Sequence, residues 1–219
     1  MTSTNINYVD TYFELSVLTK VHGEPTYEKL KAIKNELKSN ACTVTSDLGG
    51  GTHGHLGLVL TAAEYAAISA TPYARPAHPG PLTIPAGTAQ HEALRLRNEH
   101  KEQIRLFRET IDVEKALIKQ VVAALESKYL ESLRDTNSNS IIRPLSEVLT
   151  HLFNRYGRVD AESLTELEGK VKDKHYDVSE PIVTIFNEIE ELARLGDAAH
   201  NPYSNMQKVQ FIKGNYYYC

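Results

Sequence analysis

TAQHEALRLRNEHKEQIRLFRETIDVEKALIKQVVAALESKYLESL, residues 88–133, has a strongly helical sequence pattern. Its apolar residues recur at helical spacing, which predicts helix over most of its length. We expect two helices here, one over residues 88–110 and a second that has Asp112 as its N-cap and runs to about Leu133. Apolar residues lie on two sides of the second helix, which is typical of a helix packed between partners.

Helix signals continue on the C-terminal side. Pro144 suits the first turn of a helix whose apolar residues form one stripe, and Gly157 is placed to end it. Ser163 and Glu166 have the spacing of a capping box, and Pro181 suits the start of another helix. These signals predict helices over residues 144–156, 163–174, 181–192 and 205–213.

The chain is less regular before residue 88. We expect residues 1–24 to be a flexible lead, followed by a helix from Pro25 or Thr26 to Ser39. The next residues, 40–87, hold seven of the twelve glycines and five of the nine prolines, a density that breaks regular structure repeatedly.

Short elements are predicted inside this Gly/Pro-rich segment. Thr61 and Glu64 have the spacing of a capping box, which predicts a short helix through Ile68. Residues 55–60 and 82–84 are candidates for short strands.

The expected fold is therefore mainly α, a multi-helix bundle with a Gly/Pro-rich segment that carries at most short strands. The predicted organisation is a flexible lead (1–24), an N-terminal helical region (25–140, including the segment 40–87), a C-terminal helical region (141–213) and a tail (214–219).

Composition narrows the class of protein. The chain has 219 residues and a net charge of −4, so a nucleic-acid contact would have to come from a local patch. Cys42 and Cys219 provide neither a disulfide framework nor a CxxC metal pair, and the N-terminus has no secretory pattern. No uncharged apolar run is long enough to span a membrane. These observations favour a reducing, cytoplasmic location.

The loop Gly49–Gly57 (GGGTHGHLG) is the most conspicuous local motif. It lacks the Gly-Lys-Ser/Thr of a phosphate-binding loop, so we interpret its glycines as forming a tight turn. A metal site formed by His53, His55 and His78 is the alternative, but no acidic residue or Cys is placed locally to complete it. No cofactor-binding or metal-ligating residue is predicted.

Catalytic patterns are weak as well. The chain has no Gly-x-Ser-x-Gly motif, and we expect Cys42 to be a small buried residue at the end of the first helix. Glu188, Glu190 and Glu191 lie beside an apolar helical stripe and are interpreted as a solvated face. We predict no catalytic residue and expect that the protein is not an enzyme.

Two charged regions bear on possible partners. Residues 160–198 carry eleven acidic residues against four Lys/Arg, which disfavours nucleic-acid contact there. The basic residues Arg95, Arg97, Lys101, Arg105 and Arg108 are expected to pair with Glu92, Glu99, Glu102 and Glu109 at helical spacing.

The proline-rich stretch 72–85 allows two interpretations. It could be a polyproline II ligand for a partner, or a rigid connector between helices. The sequence alone leaves both open.

Several blocks together resemble a known family. Their order along the chain is GGGTHGHLGLVL (49–60), PAHPGPLTIPAGT (76–88), YLESLRDTNSNSI (129–141), HLFNRYG (151–157), HYDVSEPIVTIFNEIEEL (175–192) and NPYSNMQKV (201–209). In order and spacing they resemble the Gag (capsid) polyprotein of copia-type LTR retrotransposons of the algal and diatom-like kind.

This resemblance implies a helical capsid domain that self-associates into a virus-like particle around RNA, with no catalytic residue. The Cys/His zinc knuckle that often ends such proteins has no counterpart here, so a truncated copy or a fragment is expected. The alternatives are a helical adaptor or domesticated interaction module without assembly, and a metalloprotein built on the Gly/His loop.

Overall fold

The computed structural model describes residues 7–159, 161–173, 181, 183–199 and 201–216. Within them the fold is mainly α and contains no strand, which confirms the predicted fold class. The helices of this part are α1 (Tyr8–Thr11), α2 (Tyr27–Thr43), α3 (Ala62–Ala66), α4 (Gln90–Ala124), α5 (Leu145–Tyr156), α6 (Ala161–Asp173), α7 (Val183–Ala198) and α8 (Asn205–Tyr216).

The two predicted strands are wrong. Residues 55–60 contain the short 3-10 helix Leu56–Leu58, and residues 82–84 have no regular structure. A strand needs a neighbouring strand to pair its N–H and C=O groups. The His55 N–H instead donates to the Ala41 carbonyl oxygen at 2.9 Å, so this segment is tied to the end of α2.

Helix α4 is one continuous helix of 35 residues, about 52 Å long, and not the two helices that the sequence predicted. The helix continues through Asp112 because no Pro or Gly around this position breaks it. The Asp112 side chain is exposed there. Beyond Leu125, whose backbone is extended, the predicted helical residues form two 3-10 turns, Ser127–Tyr129 and Glu131–Leu133.

The chain divides into two compact units, residues 1–152 and 153–219. The boundary between the units therefore falls inside α5. The sequence pattern predicted it between residues 140 and 141. The start of α5 belongs to the first unit because the N–H of Leu145 donates to the Glu114 carboxylate of α4 at 3.0 Å.

The core of the first unit lies between α2 and the C-terminal half of α4. Leu37, Leu117 and Val121 are fully buried there. Residues 7–24 differ from the flexible lead that we expected. The Val21 N–H donates to the Ala124 carbonyl oxygen at 2.8 Å. The buried side-chain amide of Asn40 accepts from the Leu15 N–H and donates to the Leu15 carbonyl oxygen.

Most predicted helix signals are found near their expected positions. Helix α2 begins after its N-cap Thr26 but ends at Thr43, four residues beyond Ser39. The capping box of Thr61 and Glu64 opens α3, as predicted, although this helix ends at Ala66 and not at Ile68.

The second unit consists of α6, α7 and α8, which pack on one another. Its core includes Leu164, Ile189 and Leu192, and the Tyr203 and Phe211 rings meet edge to face with centroids 5.6 Å apart. Helix α6 begins at Ala161, so Ser163 lies inside it and the predicted capping box is wrong. Some predictions fall partly outside the described residues: residues 1–6 of the lead, residue 174 of the helix predicted at 163–174, residues 175–180 and 182 of the block 175–192, and residues 217–219 of the tail.

Candidate functional site: a cationic face and an apolar groove

The Gly/His loop closes tightly over the end of α2. Gly54 has a positive φ of 51°, and a Cβ at this position would lie 2.4 Å from the Val44 carbonyl oxygen. Gly49 also has a positive φ, of 61°, and lies against the Tyr65 ring. Close approach of the backbone therefore accounts for glycine at both positions, as the tight-turn interpretation requires.

The three histidines considered as metal ligands contact different partners. His53 Nε2 lies 3.3 Å from the Ile68 carbonyl oxygen, and the His78 ring packs edge to face on Phe107. His55 is fully buried. Within the described residues, no three or more His, Cys, Asp or Glu side chains form a group that could hold a metal ion.

The buried His55 imidazole is held at both ring nitrogens. Its Nδ1 lies 2.9 Å from the Tyr73 hydroxyl, and its Nε2 lies 3.3 Å from Glu109 Oε1. Burial lowers the pKa of this imidazole below its ordinary value of 6.5, while the hydrogen bond and charge of Glu109 offset part of that shift. Burial likewise raises the pKa of Tyr73, whose hydroxyl is the partner of Nδ1.

The lowered pKa of His55 predicts that acid destabilises the fold. Below about pH 6.5 the unfolded chain takes up a proton at His55 that the folded chain does not. We therefore expect this group to lower the free energy of unfolding by at most about 1.4 kcal/mol per pH unit as the pH falls through that range. Urea unfolding measured at several pH values checks this. In His55→Gln the free energy of unfolding should depend less on pH, because the contribution of this imidazole is removed, whereas His53→Gln should keep the pH dependence of the unaltered chain. The same pH dependence in both variants would contradict the prediction.

Charges are segregated around α4. Arg95 pairs with Glu92 at 2.6 Å and also with Glu99, and Arg105 forms the same kind of ladder with its acidic neighbours, at 2.7 Å to Glu102. The predicted pairing therefore forms for these two arginines. It does not form for Arg97, Lys101 and Arg108, which make no ion pair with any residue that the structure describes.

The unpaired cations of α4 share one exposed side of the helix. Spacings of 4, 7, 7 and 4 residues place them within about 40° of one another around the helix axis and along about 33 Å of its length. Asp112, also exposed, lies at the edge of this side. The members of this cationic face are Arg97, Lys101, Arg108, Lys115 and Lys119.

An apolar groove adjoins the C-terminal end of the cationic face. It has a volume of about 600 Å³ and lies between α4 and residues 139–143. Its apolar lining consists of Ile111, Ile118, Val122, Ile141 and Ile142. Its cationic lining consists of Arg75, Lys115, Lys119, Arg134 and Arg143.

A defined turn builds one wall of the groove. The Asp135 carboxylate accepts from the Ser138 N–H at 2.8 Å, and these hydrogen bonds lower the pKa of Asp135. Asn139, with a positive φ of 53°, accepts through its carbonyl oxygen from Arg134 at 2.8 Å. Residues 135–140 thus form an ordered turn that positions the wall.

The proline-rich stretch contacts α4 along much of its length. Arg75 pairs with Glu114, and the carbonyl oxygen of Gly80 lies 2.8 Å from His100 Nε2. These contacts favour the interpretation of the stretch as a connector that is packed against a helix.

Cys42 is exposed, so its predicted burial is wrong. It follows Ala41, which is fully buried, and successive helix residues point about 100° apart.

The acidic candidates Glu190 and Glu191 of α7 form surface ion pairs: Arg194 lies 3.8 Å from Glu190 and 3.4 Å from Glu191. Such pairs are typical of the solvated face that we predicted.

Sequence reasoning missed Lys115 and Lys119 as members of the cationic face, and Arg75 and Arg143 as members of the groove. The spacing of the α4 cations could have predicted the cationic face, whereas the groove joins three separate segments and has no such pattern.

Comparisons with known proteins do not identify the site: no family model, no curated protein and no solved structure matches this chain. Among the described residues, no helix combines the length and apolar character needed to cross a membrane.

Proposed function

We propose that this chain is a structural, Gag-like protein of a retrotransposon that self-associates into capsid-like assemblies around RNA in the cytoplasm, and is not an enzyme. The observation that carries the proposal is the cationic face of α4. A chain of net charge −4 here keeps five exposed cations on one side of one helix, apart from the ion-pair ladder on another.

A face of this kind suits the packaging of RNA. Lys and Arg bind phosphates without reading sequence, and release of counterions drives that binding. Three cations of this face, Arg97, Lys101 and Arg108, lie outside the groove and form a row about 17 Å long that can follow successive phosphates of one strand. The sequence blocks that resemble copia-type Gag point in the same direction.

Exposed apolar side chains on the second unit support self-association. Val183 and Phe186 of α7 and Met206 and Val209 of α8 are large hydrophobic residues that stay accessible to solvent. Apolar surface of this kind is often covered by a protein partner.

One observation favours the second candidate, a helical adaptor without assembly. The groove of the first unit is an apolar cleft of the kind that receives a helix from a partner. An adaptor of this kind would keep a small fixed mass, whereas a capsid-like protein would grow.

The test is the mass of the purified chain against concentration, by light scattering with and without single-stranded RNA. We expect growth into large assemblies, and RNA should lower the concentration at which growth begins. A small mass at every concentration, unchanged by RNA, would refute the capsid proposal and leave the adaptor.

A matched pair of variants locates the RNA contact in the same experiment. Replacing Arg97 and Arg108 together by Ala should weaken RNA binding roughly tenfold and reduce the slope of log affinity against log salt by about 1.4. Replacing Arg95 and Arg105 by Ala changes the net charge equally but removes paired side chains. Equal losses in the two double variants would show that the cationic face is not the contact.

A further inference from the structure

We infer that the groove of the first unit receives helix α7 from a second copy of the chain. This inference rests on the proposed self-association and names the surfaces that would meet. It follows from the lining of the groove, the exposed side of α7 and their opposite charges.

The groove lining favours a helix over a nucleic acid. The floor is aliphatic, and Ile142 at its wall is 72 % exposed, so a large apolar side chain is left uncovered. No aromatic side chain is among the described lining residues, so the groove offers no ring on which an unpaired base could stack. An amphipathic helix needs only an apolar floor and side chains that match its charge.

The cations around the groove specify the charge of that helix. Arg75 is engaged by Glu114, and Arg134 donates to a carbonyl oxygen. Lys115, Lys119 and Arg143 form no ion pair with any described residue, and this leaves the groove with an excess of positive charge. Its occupant should therefore be acidic.

Helix α7 presents such a surface. Val183, Glu190 and Asp197 recur every seven residues and are exposed, and Phe186 lies on the same side at 41 % exposure. The opposite side, with Ile185, Ile189 and Leu192, is buried in the second unit.

Charge and length match as well. Helix α7 carries four acidic residues against one arginine, Arg194, whereas the groove has five cations and one acid. The α4 part of the groove spans about 17 Å, and the exposed side of α7 spans about 21 Å. These features fit a contact in which an apolar end of α7 lies on the aliphatic floor and its acids face the cations.

The test exchanges charges between the two surfaces in the absence of RNA. The groove variant carries Lys115→Glu with Lys119→Glu, and the α7 variant carries Glu190→Lys with Asp197→Lys. All four side chains are exposed, so both variants should fold, and thermal unfolding followed by circular dichroism checks this. Each variant alone should self-associate at least tenfold more weakly than the unaltered chain in sedimentation velocity.

Mixing the two variants gives the decisive result. Each groove then meets an α7 of opposite charge only on the other variant, so an equimolar mixture should recover association. If the mixture does not recover while one chain with all four substitutions does, the contact lies within a chain and the inference is wrong.

The remaining outcomes separate the inference from the proposed function. If the unaltered chain associates and neither variant changes this, the groove contact is wrong while self-association stands. If the chain associates only when RNA is added, the contact is again wrong, because it needs protein alone, and RNA-driven assembly stands. A fixed small mass with and without RNA removes both.

Discussion

Replacing Gly54 by Ala should lower the free energy of unfolding of the first unit by roughly 3 kcal/mol or more. The φ of Gly54 is 51°, where an L residue is strained by about 1–2 kcal/mol. The new Cβ would also lie 2.4, 2.8 and 2.9 Å from the carbonyl oxygens of Val44, Cys42 and Ala41. These are backbone atoms at the end of α2, so they cannot move aside as a flexible side chain can.

Gly51→Ala is the matched control for this substitution. Gly51 also has a positive φ, of 76°, but the nearest atom to a Cβ there lies 3.8 Å away. It should therefore show the backbone strain alone, about 1 kcal/mol. Urea unfolding gives the stability of both variants, and hydrogen exchange of the His55 amide reports on the loop itself. Equal stability losses in the two variants would contradict the close-packing argument.

The same geometry explains the appearance of the Gly/His loop in the sequence. Its glycines are interpreted as forming a tight turn, and at Gly54 the carbonyl oxygens of Val44, Cys42 and Ala41 leave no room for a Cβ. His55 is then placed under the loop, where it links Tyr73 to Glu109. The motif thus has a structural role in joining α2, the proline-rich stretch and α4.

Much of the helical fold could be predicted because its signals are local. Pro144 and Gly157 bracket an apolar stripe, and α5 runs from Leu145 to Tyr156 between them. A local signal gave a wrong prediction where a longer-range interaction outweighed it. Asp112 is a good N-cap, but a helix that continues to bury apolar residues on both sides of it gains more than a break would give.

The candidate site was predictable only in part, for a similar reason. Spacing shows that each arginine of α4 has acids within reach, but it does not show which arginine takes them. Arg105 engages both Glu102 and Glu109, and Arg108 pairs with no acid in the part of the chain that the structure describes. The groove depends on the turn at 135–140 and on Arg75, and no pattern along the chain links these segments to α4.

Replacing Glu114 by Ala should lower the free energy of unfolding by about 3 kcal/mol, because three segments meet at this buried carboxylate. Glu114 lies on α4, pairs with Arg75 of the proline-rich stretch, and accepts from the Leu145 N–H at 3.0 Å. The first N–H groups of a helix have no partner within the helix, so Glu114 acts as a cap for α5 supplied from another helix. Alanine would leave the N–H of the fully buried Leu145 without its acceptor and would free the Arg75 guanidinium.

Two further variants separate the hydrogen bond from the charge. Glu114→Gln keeps a side-chain oxygen for Leu145 but loses the charge that Arg75 needs, so its stability loss in urea unfolding should be about half that of Glu114→Ala. Glu102→Ala removes an exposed acid of the same helix and should change stability little. Hydrogen exchange of the Leu145 amide should accelerate most in Glu114→Ala and stay slow in Glu102→Ala. If exchange at Leu145 is unchanged in Glu114→Ala, the carboxylate does not hold the start of α5, and the wall of the groove must be fixed by the turn at 135–140 alone.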